Sequence, residues 1–273
     1  MTRGGKILSA IRPHNQLGLE IGALNRPIII PKMGRIRYVD HATTAELKVK
    51  YAKEANVDIS KIVEVDYIWG DKSLPELVQA EAPFDYVLAS HVIEHVPDFI
   101  GWLKEVFGVL RPGGVLSLVI PDKRYCFDYH RRTSTVPELV GAYLQKQRKP
   151  TPRQIHEYWS MIANWEGRMV WDQKDNVEPG KILPYHSAVT AWESTQQIVQ
   201  NGAYFDVHCW VFTPESFFQL LRNLIEIRLF DFKVVRFFPT AGCEFYVSLE
   251  ALDTSADPTL LQKAQFASLP SGI

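Results

Sequence analysis

Short β-branched runs alternate with amphipathic helical ones along the first half of this chain, and that alternation restricts it to a sheet whose strands are joined by crossover helices. The expected strands are LGLEIG (17–22), RIRYVD (35–40), KIVEVD (61–66), FDYVLAS (84–90) and GVLSLVI (114–120). Each is apolar enough to be buried on both faces, as strands of a parallel sheet are. Between them, TTAELKVKYAKEA (43–55), SLPELVQA (73–80) and PDFIGWLKEVFGVL (97–110) carry helical periodicity with Thr, Ser or Asp near the start, and RPGG (111–114) supplies the stop after the last. After Pro121 the pattern breaks, then returns with a helix, TPESFFQLLRNLIEIRLF (213–230), and two β-rich runs, FKVVRFFP (232–239) and CEFYVSLEAL (243–252). The join Thr240-Ala241-Gly242 is short enough for a hairpin, so the last pair is expected to be antiparallel. The predicted architecture is α/β: a doubly wound, seven-stranded, mostly parallel sheet with a helical insertion after the fifth strand. Residues 1–121 and 206–252 form the sheet domain, 122–205 the inserted cap, and 253–273 a loose tail.

Thirty Lys+Arg against thirty-one Asp+Glu give a net charge of -1, so no global basic field exists to hold nucleic acid or an anionic membrane. Cys126, Cys209 and Cys243 are odd in number, far apart and free of C-x-x-C spacing, which signals neither a disulfide framework nor structural zinc and fits a reducing compartment. The start, MTRGGKILSA, lacks an apolar signal core, and no run approaches the ~20 apolar residues of a membrane span. A soluble, cytoplasmic protein is expected.

In an open parallel sheet, ligands sit outside the carboxyl ends of the strands at the switch point. The residues delivered there are Glu20-Ile21-Gly22, Asp40, Asp66, Ser90 and Pro121-Asp122. Asp40, ending the second strand, is placed to take a ribose hydroxyl pair. A dinucleotide would need G-x-G-x-x-G opening a helix, but GALNRPIIIPKMG (22–34) lacks those glycines, and Pro27 and Pro31 prevent a regular helix. No P-loop is present either, so NAD and ATP are both disfavoured and a nucleoside without phosphates remains.

These residues resemble the class I S-adenosylmethionine-dependent methyltransferases, especially the branch acting on small molecules, over 17–121 and 213–252. LEIG is similar to that family's first motif, YVDH to its ribose-binding motif and EVD to its third-strand motif. FDYVLASHVIEHVPD and LRPGGVLSLVIPD, the most specific matches, resemble its fourth strand and loop and its fifth strand. The resemblance implies a Rossmann-like methyltransferase fold with S-adenosylmethionine as cofactor. It places Glu20 and Gly22 beside the methionine part, Asp40 and His41 at the ribose, Asp66 near the adenine and Ser90 at the fourth strand end. One departure is that the family's run of glycines is reduced to Gly22, followed by Ala23 and Leu24.

Methyl transfer is an in-line displacement that needs alignment and exclusion of water more than covalent catalysis. For an oxygen acceptor a histidine base is natural, and His95, His130, His186 and His208 are the candidates, with Asp122 competing. His91, Glu94 and His95 spell H-x-x-E-H, a metallopeptidase pattern, but a strand ending at Ser90 and Pro97 leave no helix to present both histidines, so no metal is expected. Five tryptophans (Trp159, Trp165, Trp171, Trp192, Trp210) follow Pro121, suited either to a cap core or to a pocket for ring-shaped ligands. The cations from Lys123 to Arg153 are candidates to receive a phosphate or carboxylate. The expected activity is methylation of a small polar molecule at oxygen, with a sugar or anionic metabolite as acceptor. The rival readings are an inactive methyltransferase-like binding protein and a metallopeptidase using His91 and His95.

Overall fold

Strands form where β-branched residues outnumber the groups that would solvate them, and the computed structural model, which describes residues 1–202 and 204–271, contains nine. They are β1 (Leu17–Ile21), β2 (Arg35–Asp40), β3 (Tyr67–Ile68), β4 (Phe84–Ser90), β5 (Leu110–Pro121), β6 (Ala163–Trp165), β7 (Ile182–Pro184), β8 (Phe232–Ala241) and β9 (Glu244–Ala251). The helices are α1 (Arg3–Ile7), α2 (Thr44–Lys50), α3 (Leu74–Val78), α4 (Phe99–Val109), α5 (Val136–Leu144), α6 (Pro152–Met161), α7 (Ala188–Asn201), α8 (Pro214–Glu226) and α9 (Pro258–Ser268). Seven strands make one sheet in the order β3-β2-β1-β4-β5-β9-β8, and β6 and β7 pair separately. β1 to β5 are parallel, and β9 runs antiparallel to both its neighbours. The winding reverses between β1 and β4, which makes their carboxyl ends the switch point.

One face of the sheet carries the larger core, in which Leu74 and Val78 of α3, Phe99 and Leu103 of α4 and Phe217 and Leu221 of α8 close on the strands. The opposite face is covered without a crossover helix after β1. There Ile7 of α1, Ile11, and Ala23 and Ile29 from the loop 22–34 pack on Tyr38, Tyr86, Leu88, Val119 and Tyr246. No helix forms between Gly22 and Gly34, as the prolines dictate. Gly34 closes this loop against the N-terminal segment, where a Cβ would lie 2.0 Å from the Pro13 carbonyl oxygen.

Three expectations are corrected. The run 61–66 is not the third strand, because its backbone is satisfied elsewhere: Val63 donates to Leu24 O and Val65 to Thr44 Oγ1, while Thr44 Oγ1 donates to Val63 O. Pairing with β2 begins at Tyr67, so the carboxyl end of β3 is Ile68. RPGG does not lie outside the sheet. α4 stops at Val109, and RPGG is a bulge inside β5 between the pairs Phe84–Leu110 and Tyr86–Val115. The tail after 253 holds α9, capped by Asp257, whose buried Gln265 donates to Phe230 O and Phe232 O.

The insertion consists of α5, α6, α7 and the β6–β7 hairpin. Leu139 and Ala142 of α5 belong to the main core, so a boundary drawn at 122 cuts across continuous packing. Trp165 and Trp171 form a small core of their own with Ala163 and Ile182, Trp210 lies in the main core, and Trp192 is exposed.

Candidate active site at the carboxyl edge

The chain leaves β1 through Gly22, which has a φ of 70° and whose Cβ would stand 3.2 Å from Val92 Cγ2. It leaves β2 at Asp40, nearly buried, whose Oδ1 accepts from the His41 backbone N–H at 2.8 Å and lies 2.7 Å from His41 Nδ1. The same edge carries Gly70 and Asp71 just past β3, then Ser90 and His91 at the end of β4. His91 has a φ of 55°, and this left-handed turn drives the following residues back over the edge.

Residues 92–96 form turns with no helix, so the H-x-x-E-H spacing does not put His91 and His95 on one face. His91 Nε2 instead lies 2.8 Å from Glu244 Oε2 on β9. Glu244 also accepts from Arg3 at 2.7 Å and from the Tyr246 hydroxyl at 2.6 Å. Burial works to raise the Glu244 pKa, but these three donors hold it down at about 2. Burial likewise opposes the charged form of His91, and Glu244 and Glu94 overcome it, raising His91 to about 9.

The Glu94 carbonyl accepts both Cys209 N–H at 2.7 Å and Trp210 N–H at 3.1 Å, and Trp210 Nε1 donates to Val96 O at 2.6 Å. These bonds fasten the segment returning from the insertion to the loop after β4, bringing His208 against His95 with ring centroids 4.6 Å apart. His95 Nδ1 lies 2.8 Å from Asp206 Oδ1, and His208 Nδ1 is hydrogen-bonded to Asp128 Oδ2. Asp128 is fully buried and also accepts from Arg131 at 2.7 Å. Burial pushes the Asp128 carboxyl up, and His208 and Arg131 outweigh it and hold it well below the carboxylate range. For His95, burial favours the neutral ring, but Asp206 and Glu94 turn the balance upward. Close to both imidazoles lies the carboxylate of Glu94, 0% exposed, with neither oxygen hydrogen-bonded among the described residues. Its Oε1 is 4.0 Å from His208 Nε2 and 3.6 Å from His91 Nδ1.

These groups border a cavity of about 360 Å³ lined by His91, His95, Phe127, Tyr158, Asp206 and His208. Cys126 and Cys243 also line it, with Cys209 buried nearby, and burial pushes all three thiols up, Cys209 to about 12, so no thiolate competes as a nucleophile. A second cavity, of about 440 Å³, lies at the amino ends of β1 and β2 among Leu17, Arg35, Arg37, Asp66 and Glu81, away from the switch point.

The sequence-predicted residues therefore divide. His95 and His208 meet at the cavity, and Gly22, Asp40, His41 and Ser90 reach the carboxyl edge. Glu20 is engaged by the loop after β1: it is 2% exposed, and its carboxylate accepts from Ile28 N–H at 2.7 Å and Ile29 N–H at 3.1 Å, organising the loop that replaces a helix. Burial raises its pKa to about 7 against those two donors. Asp66 precedes β3, and its Oδ2 accepts from Tyr38 N–H, serving the sheet edge; the acidic residue past the carboxyl end is Asp71. Asp122 is fully buried and is held by Arg124 and by the Thr240 hydroxyl, which makes it a turn anchor outside the cavity lining. His130 Nε2 lies 3.1 Å from Ile182 O within the insertion, and His186 stacks with Trp159. The expected anion-binding cations are largely spent: Arg124 on Asp122, Arg131 on Asp128, Arg148 near Glu105, Arg153 on Glu138 and Glu157, and Lys123 on Tyr129 O.

Asp128 and Asp206 were invisible as partners in the sequence, since each stands two residues before a histidine other than the one it binds. Glu94 was visible only inside a motif read as accidental.

The profile described as "Methyltransferase domain" matches residues 18–224. No curated protein matches the sequence significantly. Among solved structures, the chain is similar to a SAM-dependent methyltransferase from Methanosarcina mazei, at 16% identity and TM-score 0.41 over 90% of this chain and 96% of that one. It is also similar to the CcbJ methyltransferase of Streptomyces caelestis, at 11% identity and TM-score 0.45 over 92% and 89%. For the CurJ carbon methyltransferase the values are 13% and 0.38, over 89% of this chain, which spans only 50% of that one. With a profile match covering most of its length and the seven-stranded sheet that the motifs imply, the chain belongs to the methyltransferase domain family as a class I S-adenosylmethionine-dependent methyltransferase.

Proposed function

We propose that this enzyme methylates a hydroxyl group of a small polar molecule, the acceptor occupying the cavity between the carboxyl edge and the insertion. The observation that carries this reading is the pair His95 and His208 on the cavity wall, each with Nδ1 engaged by a carboxylate. A ring held that way donates from Nδ1 and keeps its Nε2 lone pair free, the arrangement that assists loss of a proton from a neighbouring hydroxyl. The donor side is assigned to residues 1–121 and 206–252, and the acceptor side largely to 122–205.

Two observations support a fit for the donor. Asp40 is nearly buried, yet its hydrogen bonds among the described residues all fall on Oδ1, leaving Oδ2 for a ribose hydroxyl. Beyond β3, a Cβ at Gly70 would meet nothing within 4 Å, so the edge is open where an adenine would lie. S-adenosylmethionine, when bound, supplies an electrophilic methyl carbon on a positively charged sulfur. Gly22 and Asp40 would fix the donor's position, the loop 22–34 would shield it from water, and Phe127 and Tyr158 would orient the acceptor.

A sugar or another polyol fits the polar, aromatic-edged cavity better than a phosphate ester, because the arginines Arg124, Arg131 and Arg153 are each paired with their own carboxylates. Calorimetric titration with S-adenosylhomocysteine, with NAD as control, tests the donor site. A radiolabelled-methyl screen of sugars, phenols, amines and phosphorylated metabolites tests the acceptor. Labelling of hydroxyl compounds is expected, and labelling confined to amines or to carbon acids would overturn the reading.

A further inference from the structure

The buried Glu94 carboxylate poses a problem that the methyltransferase fold does not resolve. A carboxylate removed from water without a single hydrogen bond is among the costliest groups a protein can bury, and native structures nearly always pair it or bind an ion to it. Glu94 is 0% exposed and neither of its oxygens has a hydrogen bond among the described residues, its nearest ring nitrogen being His91 Nδ1 at 3.6 Å, whereas the buried acids Asp122, Asp128 and Glu244 each have several donors. Ligand atoms of Glu94, His95 and His208 all lie within 4.8 Å of one another. We infer that Glu94, His95 and His208 form a binding site for a divalent first-row transition cation, zinc or manganese in type, at the floor of the acceptor cavity.

The groups behind the imidazoles carry the inference further. A metal-ligating histidine almost always gives its other ring N–H to a carboxylate, which fixes the tautomer and raises the basicity of the free nitrogen. Both histidines have that arrangement, His95 with Asp206 and His208 with Asp128, and Asp128 is itself anchored by Arg131. The two cations nearest the cluster are each shared with another acid, Arg131 with Asp128 and Glu157 and His91 with Glu244, so they leave Glu94 short of positive charge, which a divalent ion would supply. Two imidazoles and one carboxylate favour zinc, manganese, iron or cobalt over magnesium and calcium, which prefer oxygen ligands. Tetrahedral ligands at about 2.0–2.2 Å from zinc lie roughly 3.3 Å apart, so closure needs only small side-chain rotations from the present spacing. His91 is not part of the set, because its Nε2 belongs to Glu244. The site therefore differs from the peptidase pattern that the sequence spells.

With His95 and His208 on the cavity wall, the remaining coordination positions open toward the acceptor. Its role there rests on the function proposed above. A cation held there would take up the Nε2 lone pairs that otherwise assist proton loss and would replace them as a Lewis acid: it would lower the pKa of the acceptor hydroxyl, whose proton would pass to solvent while its oxygen formed the new C–O bond and the methyl C–S bond broke to release the thioether. Binding of the ion itself is independent of that reading.

The test is calorimetric titration of the chelator-treated full chain with zinc chloride and, separately, manganese chloride, alongside elemental analysis of protein purified without chelator. One equivalent of saturable binding is expected for at least one of the two ions. Glu94→Gln, which is isosteric, and His95→Ala, at a part-exposed position, are each expected to weaken it by at least about 100-fold. Asp206→Asn, acting through the ring it holds, is expected to weaken it about tenfold. Cobalt should give a visible absorption band that His95→Ala lacks. Titrating S-adenosylhomocysteine into the same metal-free protein separates the two proposals, since a missing donor site leaves metal binding intact. Absence of saturable binding by either ion, or binding untouched by Glu94→Gln and His95→Ala in folded protein, would show an ion-free network of imidazoles and carboxylates and overturn the inference.

Discussion

His91 Nε2 and Glu244 Oε2 lie 2.8 Å apart across 153 residues of sequence, joining the turn after β4 to the hairpin strand β9. Arg3 binds the same carboxylate and also donates to Ser90 Oγ at 3.0 Å, so the N-terminal helix is latched to the edge by one acid. Stability should depend on pH through this pair. Glu244, held at about 2 against an ordinary 4.5, contributes fully above pH 4.5 and loses its contribution as pH falls toward 2. His91, raised to about 9 from 6.5, contributes fully below pH 6.5 and loses its contribution as pH rises through 9. The pair is thus strongest between pH 4.5 and 6.5. Glu244→Gln should lower stability by about 2–3 kcal/mol in that window and flatten both limbs of melting temperature against pH.

Glu20 binds the backbone of the loop after β1, and its replacement tests how far the loop depends on it. In Glu20→Gln the amide NH₂ would face one of the Ile28 and Ile29 N–H donors, at a cost of about 1–3 kcal/mol. Amide exchange at Ile28 and Ile29 should accelerate ahead of the strands. Because the folded pKa is raised from 4.5 to about 7, the wild type should lose stability as pH climbs from 4.5 through 7, and the variant should not.

Asp40 and Asp66 were expected to act together, and the structure separates them. Asp40→Ala should weaken S-adenosylhomocysteine binding about tenfold, the worth of one hydrogen bond to a charged group. Asp66→Ala should leave that affinity within about twofold while loosening β3, since its partner is the Tyr38 N–H. Equal losses of affinity in the two variants, read by calorimetry, would contradict the assignment.

His95 and Asp122 make a similar contrast for turnover. His95→Ala should lower kcat by about 10²–10⁴ with donor affinity nearly unchanged, the range for a group assisting proton transfer. Asp122→Ala strands Arg124 and the Thr240 hydroxyl beside a buried gap. It should cost about 3–5 kcal/mol of stability, with activity falling only in step with the folded fraction.

The sheet was legible because burial on both faces leaves a local record of consecutive apolar, β-branched residues, and β2 and β4 begin and end where that record does. The third strand was misplaced because 61–66 has the same composition but gives its backbone bonds to Thr44 and Leu24, which no local pattern encodes. The carboxyl end of the third strand therefore lies at Ile68 instead of Asp66, and the acid just past it is Asp71.

The sequence by itself determined the parallel sheet, its switch point, the helix-free loop after β1 and the family, since each follows from residues close together in the chain. Only the tertiary structure decided which carboxylate serves which histidine. Asp206, two residues from His208, binds His95, and Asp128, two residues from His130, binds His208. The reason is that side-chain pairing in the site is set by the bonds of the Glu94 carbonyl to Cys209 and Trp210, which fold one loop over another across more than a hundred residues.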